Sequence, residues 1–238
     1  MEDTLKKKYL KIIKNTNIGS NFVKNFLNKK NNQNHEEINS YLAKRAFETF
    51  NLALNEFFKK KINTEDKLID LGCGTGSFVK LVKEKNIKVK GYDLDTVDLE
   101  NSKIPESNDS VDYVTCLSII EHIKDPSNLL SEVYRILKPN GILIIVTPNF
   151  YYCYRNFYDD PTHFNPFTPK KLETILKLFG FKSNYILPWI VKKNPKIWRL
   201  PMKFFFARYC LLARGDAKLP IPKFFKGKSS TILSLSEK

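Results

Sequence analysis

The sequence predicts an α/β protein with a doubly wound, mostly parallel sheet and helices on both faces. From residue 67 onward, short apolar strand-like stretches alternate with amphipathic helical stretches. The stretch Ile142–Thr147 is continuously apolar up to its last residue, as in strands that are buried on both faces of a parallel sheet. A glycine-rich turn separates the first strand from the first helix of this region.

The elements follow in order from periodicity and from residues that begin and end helices. Apolar residues recur at helical spacing from Ile38 to Phe58, with Asn34 as the predicted N-cap. Asp125–Pro126 and Thr168–Pro169 are typical of helix N-termini. The predicted strands are Lys67–Leu71, Val89–Asp93, Val111–Leu117, Ile142–Thr147, Phe181–Leu187 and Thr231–Ser236, and the core helices are Phe78–Lys85, Asp125–Leu137 and Thr168–Gly180.

These elements divide the chain into four regions with unequal charge. A helical lid (1–66) precedes an α/β core (67–187), a basic aromatic insertion (188–228) and a final core strand (229–238). The whole chain carries a net charge of +15. Residues 67–184 are electrically neutral, whereas residues 185–238 carry 12 Lys/Arg and 2 Asp/Glu. The excess charge therefore lies next to the core, where it favours an anionic partner.

Composition excludes several classes of protein. With 42% hydrophobic and 13% aromatic residues, the chain can bury a core and is not disordered. Its longest apolar run, Ile142–Val146, is far shorter than the roughly 18 residues that a transmembrane helix requires. The acids and lysines of residues 1–8, with no long apolar segment after them, lead us to expect no secretory signal. We expect a cytoplasmic protein, peripheral at the inner face of the membrane if it contacts one. The four cysteines and three histidines lack zinc-type spacing, so no metal site is predicted.

The most informative motif is the glycine turn Asp70-Leu71-Gly72-Cys73-Gly74-Thr75-Gly76. Glycines let the backbone turn tightly and approach a ligand, and the N–H groups of the following helix favour an anion. The spacing G-x-G-x-G differs from the dinucleotide pattern G-x-G-x-x-G, and Asp70 suits a ligand with an ammonium group beside its carboxylate. Asp93, seventeen residues after Gly76, ends the next strand, where an acid can bind both ribose hydroxyls.

With these residues, the sequence resembles the class I S-adenosylmethionine-dependent methyltransferases, whose fold is Rossmann-like. The likeness covers about residues 67–184 and is strongest to the branch that modifies quinones and sugars. It implies S-adenosyl-L-methionine as the cofactor. The motifs that carry it are Leu68–Gly76, Asp93, Asp109–Val114, Ile120–Ile123, Arg135–Gly141 and Thr147–Asn149.

The resemblance also implies which residues bind the cofactor. The turn would surround the methionyl part, Asp93 would bind the ribose, and Leu117 would line the methionine side. The pair Asp98–Leu99 matches the position that meets the adenine. Asp112 comes only 19 positions after Asp93, so the sheet is predicted to lack a strand on that side. The turn residues assigned to the cofactor are Asp70, Gly72, Gly74 and Gly76.

Two residues of the predicted lid are weaker candidates. Tyr41 and Arg45 lie one turn apart on the N-terminal helix and could reach the cofactor's carboxylate. Plain packing of the helix on the core is the favoured interpretation.

Two histidines are candidate catalytic residues. His163 follows the strand Ile142–Thr147 in a proline-containing segment, at the sheet edge where the transferable methyl group would lie. Asp159 or Asp160 could orient its ring, and the alternative is a loop histidine bonded to backbone. His122 follows Glu121, which we interpret as a structural acid bonded to nearby backbone.

The insertion 188–228 interleaves aromatic and basic residues. This composition is typical of contact with an anionic membrane surface or a lipid-linked substrate. A structural lid and a platform for single-stranded RNA are the alternatives. Four prolines argue against one long helix there.

The favoured function is O-methylation of a sugar, glycolipid or polyprenyl-type acceptor near the cytosolic membrane face. A tRNA-modifying methyltransferase is the alternative, and a non-catalytic partner protein with the methyltransferase fold is a third hypothesis. A small-molecule or lipid-linked acceptor is thus favoured over a nucleic acid partner.

Overall fold

A computed structural model describes residues 35–93, 95–188 and 231–238. The first 34 residues, with the predicted N-cap Asn34, lie outside the described residues, as does the insertion beyond residue 188. Within the described ranges, no helix combines the length and the apolar character needed to cross a bilayer.

The described strands form a single six-stranded sheet, in the spatial order β2-β1-β3-β4-β6-β5. Neighbours among the first four strands run parallel, and β6 is antiparallel to both β4 and β5. The predicted mostly parallel sheet is confirmed. The strands are β1 (Lys67–Leu71), β2 (Lys88–Tyr92), β3 (Val111–Leu117), β4 (Leu137–Pro148), β5 (Asn184–Pro188) and β6 (Thr231–Glu237).

The sheet differs from the sequence prediction at the start of β4, and in the described part of the chain it has no strand beyond β2. β4 begins at Leu137 rather than at the predicted Ile142, because Leu137 pairs with Val111 ahead of an irregularity in the register. β2 lies at an edge, and the described residues between β2 and β3 form no strand. The short spacing between Asp93 and Asp112 predicted this missing strand.

Helices lie on both sides of the sheet, and most begin where the sequence predicts. Thr168 caps its helix as predicted, since its side chain accepts a hydrogen bond from the backbone N–H of Lys171. The helix after Asp125 begins at Ser127, whose N–H and hydroxyl both donate to the Asp125 carboxylate. The helices are α1 (His35–Phe58), α2 (Ser77–Glu84), α3 (Ser127–Ile136), α4 (Phe150–Cys153) and α5 (Pro169–Leu178).

Side chains along each strand point alternately to the two faces of the sheet, and this divides the core into two hydrophobic clusters. Ile69 and Leu143 belong to the cluster that contains buried residues of α3 and α5. Their neighbours Leu68 and Ile142 belong to the cluster that contains α1 and α2. Successive side chains of a strand point to opposite faces, so each cluster fills one side of the sheet.

Helix α1 is a layer of the core. Phe50 of α1 is fully buried, and its ring meets that of Phe78 in α2 edge to face, with centroids 5.8 Å apart. The predicted boundary at residue 66 therefore does not separate two packing units among the described residues. Tyr41, which the periodicity places on the apolar face, is 50% exposed.

This packing predicts a difference between two leucines on helices. Leu54 of α1 has no exposed surface, whereas Leu178 of α5 is 78% exposed. Leu54→Ala should lower the free energy of unfolding by about 2–5 kcal/mol, since it removes buried methyl groups and leaves a cavity. Leu178→Ala, the matched control, should change it by less than about 0.5 kcal/mol. Urea denaturation measures both, and equal effects would show that α1 is not part of the core.

Candidate active site

The candidate residues meet because three parallel strands end at the same edge of the sheet. Leu71 of β1 lies beside Cys116 of β3, and Leu117 of β3 lies beside Val146 of β4. The segments that follow these strands therefore emerge next to one another. In open α/β sheets this carboxyl edge is where ligands bind.

The glycine turn leaves β1 with its backbone in the left-handed region. The φ angles of Gly72, Gly74 and Gly76 are 73°, 51° and 75°, values that favour glycine. The N–H groups of Gly72 and Cys73 both donate to the carbonyl of Tyr92, at 2.7 and 3.2 Å. The turn is thus fastened to the end of β2, immediately before Asp93.

The surroundings of the three glycines differ. A methyl group on Gly72 would overlap the side chain of Ile119, so this glycine is required for packing as well as for its φ angle. A methyl group on Gly74 or Gly76 would meet no atom within 4 Å. The outer face of the turn is therefore open for a ligand to approach the backbone.

Asp70 lies in β1 just before the turn and is only 2% exposed. The Thr115 hydroxyl donates to its Oδ1 at 2.6 Å. Burial raises the pKa of Asp70 to about 7, and the nearby charge of Asp93 adds to this shift while the Thr115 bond opposes it. A positively charged ligand group next to this carboxyl would favour its ionised form.

The other predicted cofactor residues lie in varied surroundings. Asp93 is half-buried after β2, and its backbone N–H bonds to Thr96. Leu117 is half-buried at the end of β3. Asp98 is exposed and its carboxylate accepts the backbone N–H of Glu100, whereas Leu99 is buried in the core. The contact of Asp98 and Leu99 with adenine stays a prediction.

The structure brings the two candidate histidines together. The ring centroids of His122 and His163 are 4.7 Å apart. The segment after β4 folds back over the end of β3, where the backbone N–H groups of Phe164 and Asn165 donate to the carbonyl of Glu121. Sequence reasoning proposed each histidine separately, because their proximity arises only from this fold-back.

Hydrogen bonds define which ring nitrogen of each histidine carries a proton. Nδ1 of His163 lies 2.7 Å from the carbonyl oxygen of Phe157, and Nδ1 of His122 lies 3.1 Å from that of Thr162. A carbonyl oxygen only accepts, so Nδ1 is the donor in each ring. In the neutral form of either ring, Nε2 is then the nitrogen with the lone pair.

Asp160 is an acid beside this pair. Its Oδ2 lies 4.0 Å from Nε2 of His163, and its Oδ1 accepts the hydroxyl of Thr162. That hydroxyl in turn lies 2.9 Å from Nδ1 of His122. Burial, with the neighbouring His163, lowers the pKa of His122 and keeps its ring neutral. Both predicted features of His163, an aspartate beside its ring and a bond to backbone, are present together.

Glu121 is more deeply buried than its neighbours, at 1% exposure. Its Oε2 accepts the hydroxyl of Thr147 at 2.9 Å. Its carboxylate also accepts a hydrogen bond from its own backbone N–H, so the expected bond to nearby backbone is present. Burial raises the pKa of Glu121 to about 8. In the sequence, only the adjacent pair Glu121-His122 indicates that these two side chains lie together. His163 joins them from the loop after β4, which the sequence pattern does not indicate.

Comparison with known proteins identifies the family. A family profile described as a methyltransferase domain matches residues 41–184, more than half of the chain. The chain belongs to this family. The predicted class I S-adenosylmethionine-dependent methyltransferase is thus confirmed, with S-adenosylmethionine as its cofactor.

Curated relatives match over a limited part of their length. The ubiquinone biosynthesis O-methyltransferase of Saccharophagus degradans is 30% identical over 105 residues, or 36% of this chain and 44% of the relative. That of Pseudomonas entomophila is 30% identical over 103 residues, or 35% of this chain and 44% of the relative. The chain therefore aligns with less than half of each relative.

Solved structures support the fold. An S-adenosylmethionine-dependent methyltransferase from Mesorhizobium loti superposes with a TM-score of 0.55 and 15% identity, covering 78% of this chain and 96% of its own. One from Archaeoglobus fulgidus gives 0.53 and 22% identity, covering 80% and 94%. At these identities the likeness concerns the fold.

The burial of Asp70 predicts a pH-dependent stability. Because its folded pKa is raised, Asp70 favours the folded state when it is protonated, and it ionises more readily in the unfolded chain. Between about pH 4 and pH 7, the free energy of unfolding should therefore fall as pH rises. Asp70→Asn should flatten this slope and stabilise the cofactor-free protein at neutral pH.

Urea denaturation at a series of pH values measures this effect. Glu121 has a raised pKa in both proteins, so the difference between the two curves isolates Asp70. Asp125→Asn, at an exposed acid whose folded pKa is lowered, controls for loss of one carboxyl and should not flatten the slope. Parallel curves for wild type and Asp70→Asn would contradict the burial of this carboxyl.

Proposed function

We propose that this protein transfers the methyl group of S-adenosylmethionine to a hydroxyl oxygen of a sugar, glycolipid or polyprenyl-type acceptor. One observation carries the proposal: an open glycine turn above a buried acid shares the carboxyl edge of the sheet with a pair of histidines. Since Nδ1 of each ring faces a backbone carbonyl, Nε2 is the nitrogen that can accept a proton from the acceptor.

The residues at the edge fit the cofactor. The open outer face at Gly74 and Gly76 would accommodate the methionyl part, whose ammonium group complements the buried Asp70. Asp93, held beside the turn by the bonds to Tyr92, would bind the ribose hydroxyls. Leu117 would pack against the methionine side.

The chemistry requires alignment and removal of one proton. When bound, S-adenosylmethionine supplies a methyl group that its sulfonium already activates. The carboxyl edge would hold S-adenosylmethionine and the acceptor in line, so that methyl transfer takes place within one complex and needs no further encounter in solution. An alcohol has a high pKa, so loss of its proton needs assistance, and His122 and His163 provide this through Nε2.

Two observations support the acceptor class. The curated relatives are named for O-methylation, although the chain aligns with less than half of each. Residues 185–238 carry 12 basic and 2 acidic residues, a charge suited to an acceptor presented at an anionic membrane face. We propose that insertion 188–228 makes this peripheral contact.

Asp93 should contribute strongly to cofactor binding. Asp93→Ala removes a charged hydrogen-bond partner and should weaken binding of S-adenosylhomocysteine by about 1.5–3 kcal/mol, measured by calorimetry. Glu84→Ala, at an exposed acid at the far end of α2, removes the same charge and should leave binding unchanged. Equal affinity for Asp93→Ala and wild type would remove Asp93 from the site.

The histidines should act on turnover rather than on cofactor binding. His122→Ala and His163→Ala should each reduce turnover by about 10²–10⁴-fold, as expected for loss of assistance to proton transfer. Their affinity for S-adenosylhomocysteine should stay near that of wild type. His35→Ala, at the remaining histidine of the chain, is the matched control and should retain turnover.

Turnover is measured with S-adenosylmethionine that carries a labelled methyl group, added to lipid and aqueous fractions of cells lacking the active gene. Label in the lipid or sugar fraction, on an oxygen by NMR, supports the proposal. Label on RNA, or on nitrogen or carbon of the product, would overturn the proposed acceptor. Loss of turnover and cofactor binding together in a histidine variant would indicate misfolding, which thermal denaturation detects.

A further inference from the structure

Three side chains at the carboxyl edge lie close enough together to share one metal ion. Glu121, His122 and His163 each have one ligand atom within 4.8 Å of the others. They come from the turn after β3 and from the loop after β4, so they lie in different segments of the chain. Two imidazoles and one carboxylate form a common ligand set for catalytic divalent ions.

The hydrogen bonds around the two imidazoles match those of metal ligands. Metal-binding histidines usually donate their second ring N–H to a carbonyl or carboxylate, which fixes the ring and the tautomer. Here both Nδ1 atoms face backbone carbonyls, those of Phe157 and Thr162. The Thr162 hydroxyl, itself donating to Asp160, also lies against His122. Both Nε2 lone pairs are therefore left for a cation.

The acids at the cluster also favour a cation, which would stabilise their ionised forms. Glu121 is a buried acid, and in the part of the chain that the structure describes, no lysine or arginine forms an ion pair with it. Asp160 adds a second carboxylate beside His163. Buried carboxylates are stabilised by a positive charge or by a bound metal ion.

We propose that Glu121, His122 and His163 bind one divalent transition-metal ion, of the Zn²⁺, Co²⁺ or Mn²⁺ type. Two of the three ligands are imidazole nitrogens, which suit these ions better than Mg²⁺ or Ca²⁺. Three protein ligands leave a coordination position open for another oxygen.

The role of this ion rests on the proposed function. The open position would take the hydroxyl oxygen of the acceptor, and the positive charge would lower the pKa of that hydroxyl. Its proton leaves to solvent, its oxygen forms the new bond to the methyl carbon, and the bond from that carbon to sulfur breaks. The histidines thus assist proton loss through the ion.

Metal binding is tested on the purified full chain after removal of metals with a chelator. Co²⁺ is the probe, because its visible absorption reports its ligands. We expect one Co²⁺ per chain, weak visible bands without the near-ultraviolet absorption of thiolate ligands, displacement by Zn²⁺ and no displacement by equimolar Mg²⁺. Thiolate absorption would assign the ion to cysteine and overturn the proposal.

Variants of the three proposed ligands distinguish Co²⁺ binding at this cluster from adventitious Co²⁺ binding elsewhere on the protein. His122→Gln, His163→Gln and Glu121→Gln should each weaken Co²⁺ binding by more than about 100-fold, and Thr162→Val, which removes an outer partner, by about 10–100-fold. His35→Ala should bind Co²⁺ as wild type does. Binding that persists unchanged in the first three variants, or that occurs only at millimolar Co²⁺, would overturn the proposal.

Calorimetry with S-adenosylhomocysteine on the same samples distinguishes the two proposals. Binding of S-adenosylhomocysteine without Co²⁺ binding would overturn the metal site and leave the proposed function intact. Co²⁺ binding without S-adenosylhomocysteine binding would overturn the proposed function alone. Variants that still bind S-adenosylhomocysteine are folded, so their loss of Co²⁺ is a local effect.

Discussion

The parallel register of β1, β3 and β4 is the constraint on which the rest of the structure depends. It places the ends of three strands side by side, with Leu71 beside Cys116 and Leu117 beside Val146. The glycine turn, Glu121 and the two candidate histidines all follow these ends. Because the strands are buried between two hydrophobic clusters, a shift of one residue would move each side chain into the opposite cluster and disrupt the packing of both, so the register is strongly determined.

Two acidic side chains are buried at the carboxyl edge of the sheet, although hydrophobic cores usually exclude such groups. Asp70 and Glu121 are almost completely buried, each with a threonine hydroxyl as a partner, from Thr115 and Thr147. Burial raises the pKa of both acids. Buried acids cost stability unless a ligand or ion compensates them, so the stability of the fold and the binding properties of the edge are linked.

Much of the fold could be predicted because it depends on local pattern. Continuous apolar runs identified the strands, and Thr168 and Asp125 marked helix starts through their side-chain hydrogen bonds. Prediction from the sequence was less successful for the exposure of individual side chains, which depends on tertiary packing. The packing of α1 on the core agrees with the favoured interpretation of its apolar face. The exposure of Tyr41 follows from how α1 lies on the sheet, which the periodicity of α1 does not specify.

The sequence by itself determined the glycine turn and its acids, since positive φ angles require glycine wherever the chain folds. It also determined the family, through motifs spread over residues 67–184. Only the tertiary structure decided that His122 and His163 face each other and that Glu121 joins them. The physical reason is that the loop after β4 returns over β3 through backbone hydrogen bonds to Glu121, and backbone bonds leave no trace in side-chain pattern.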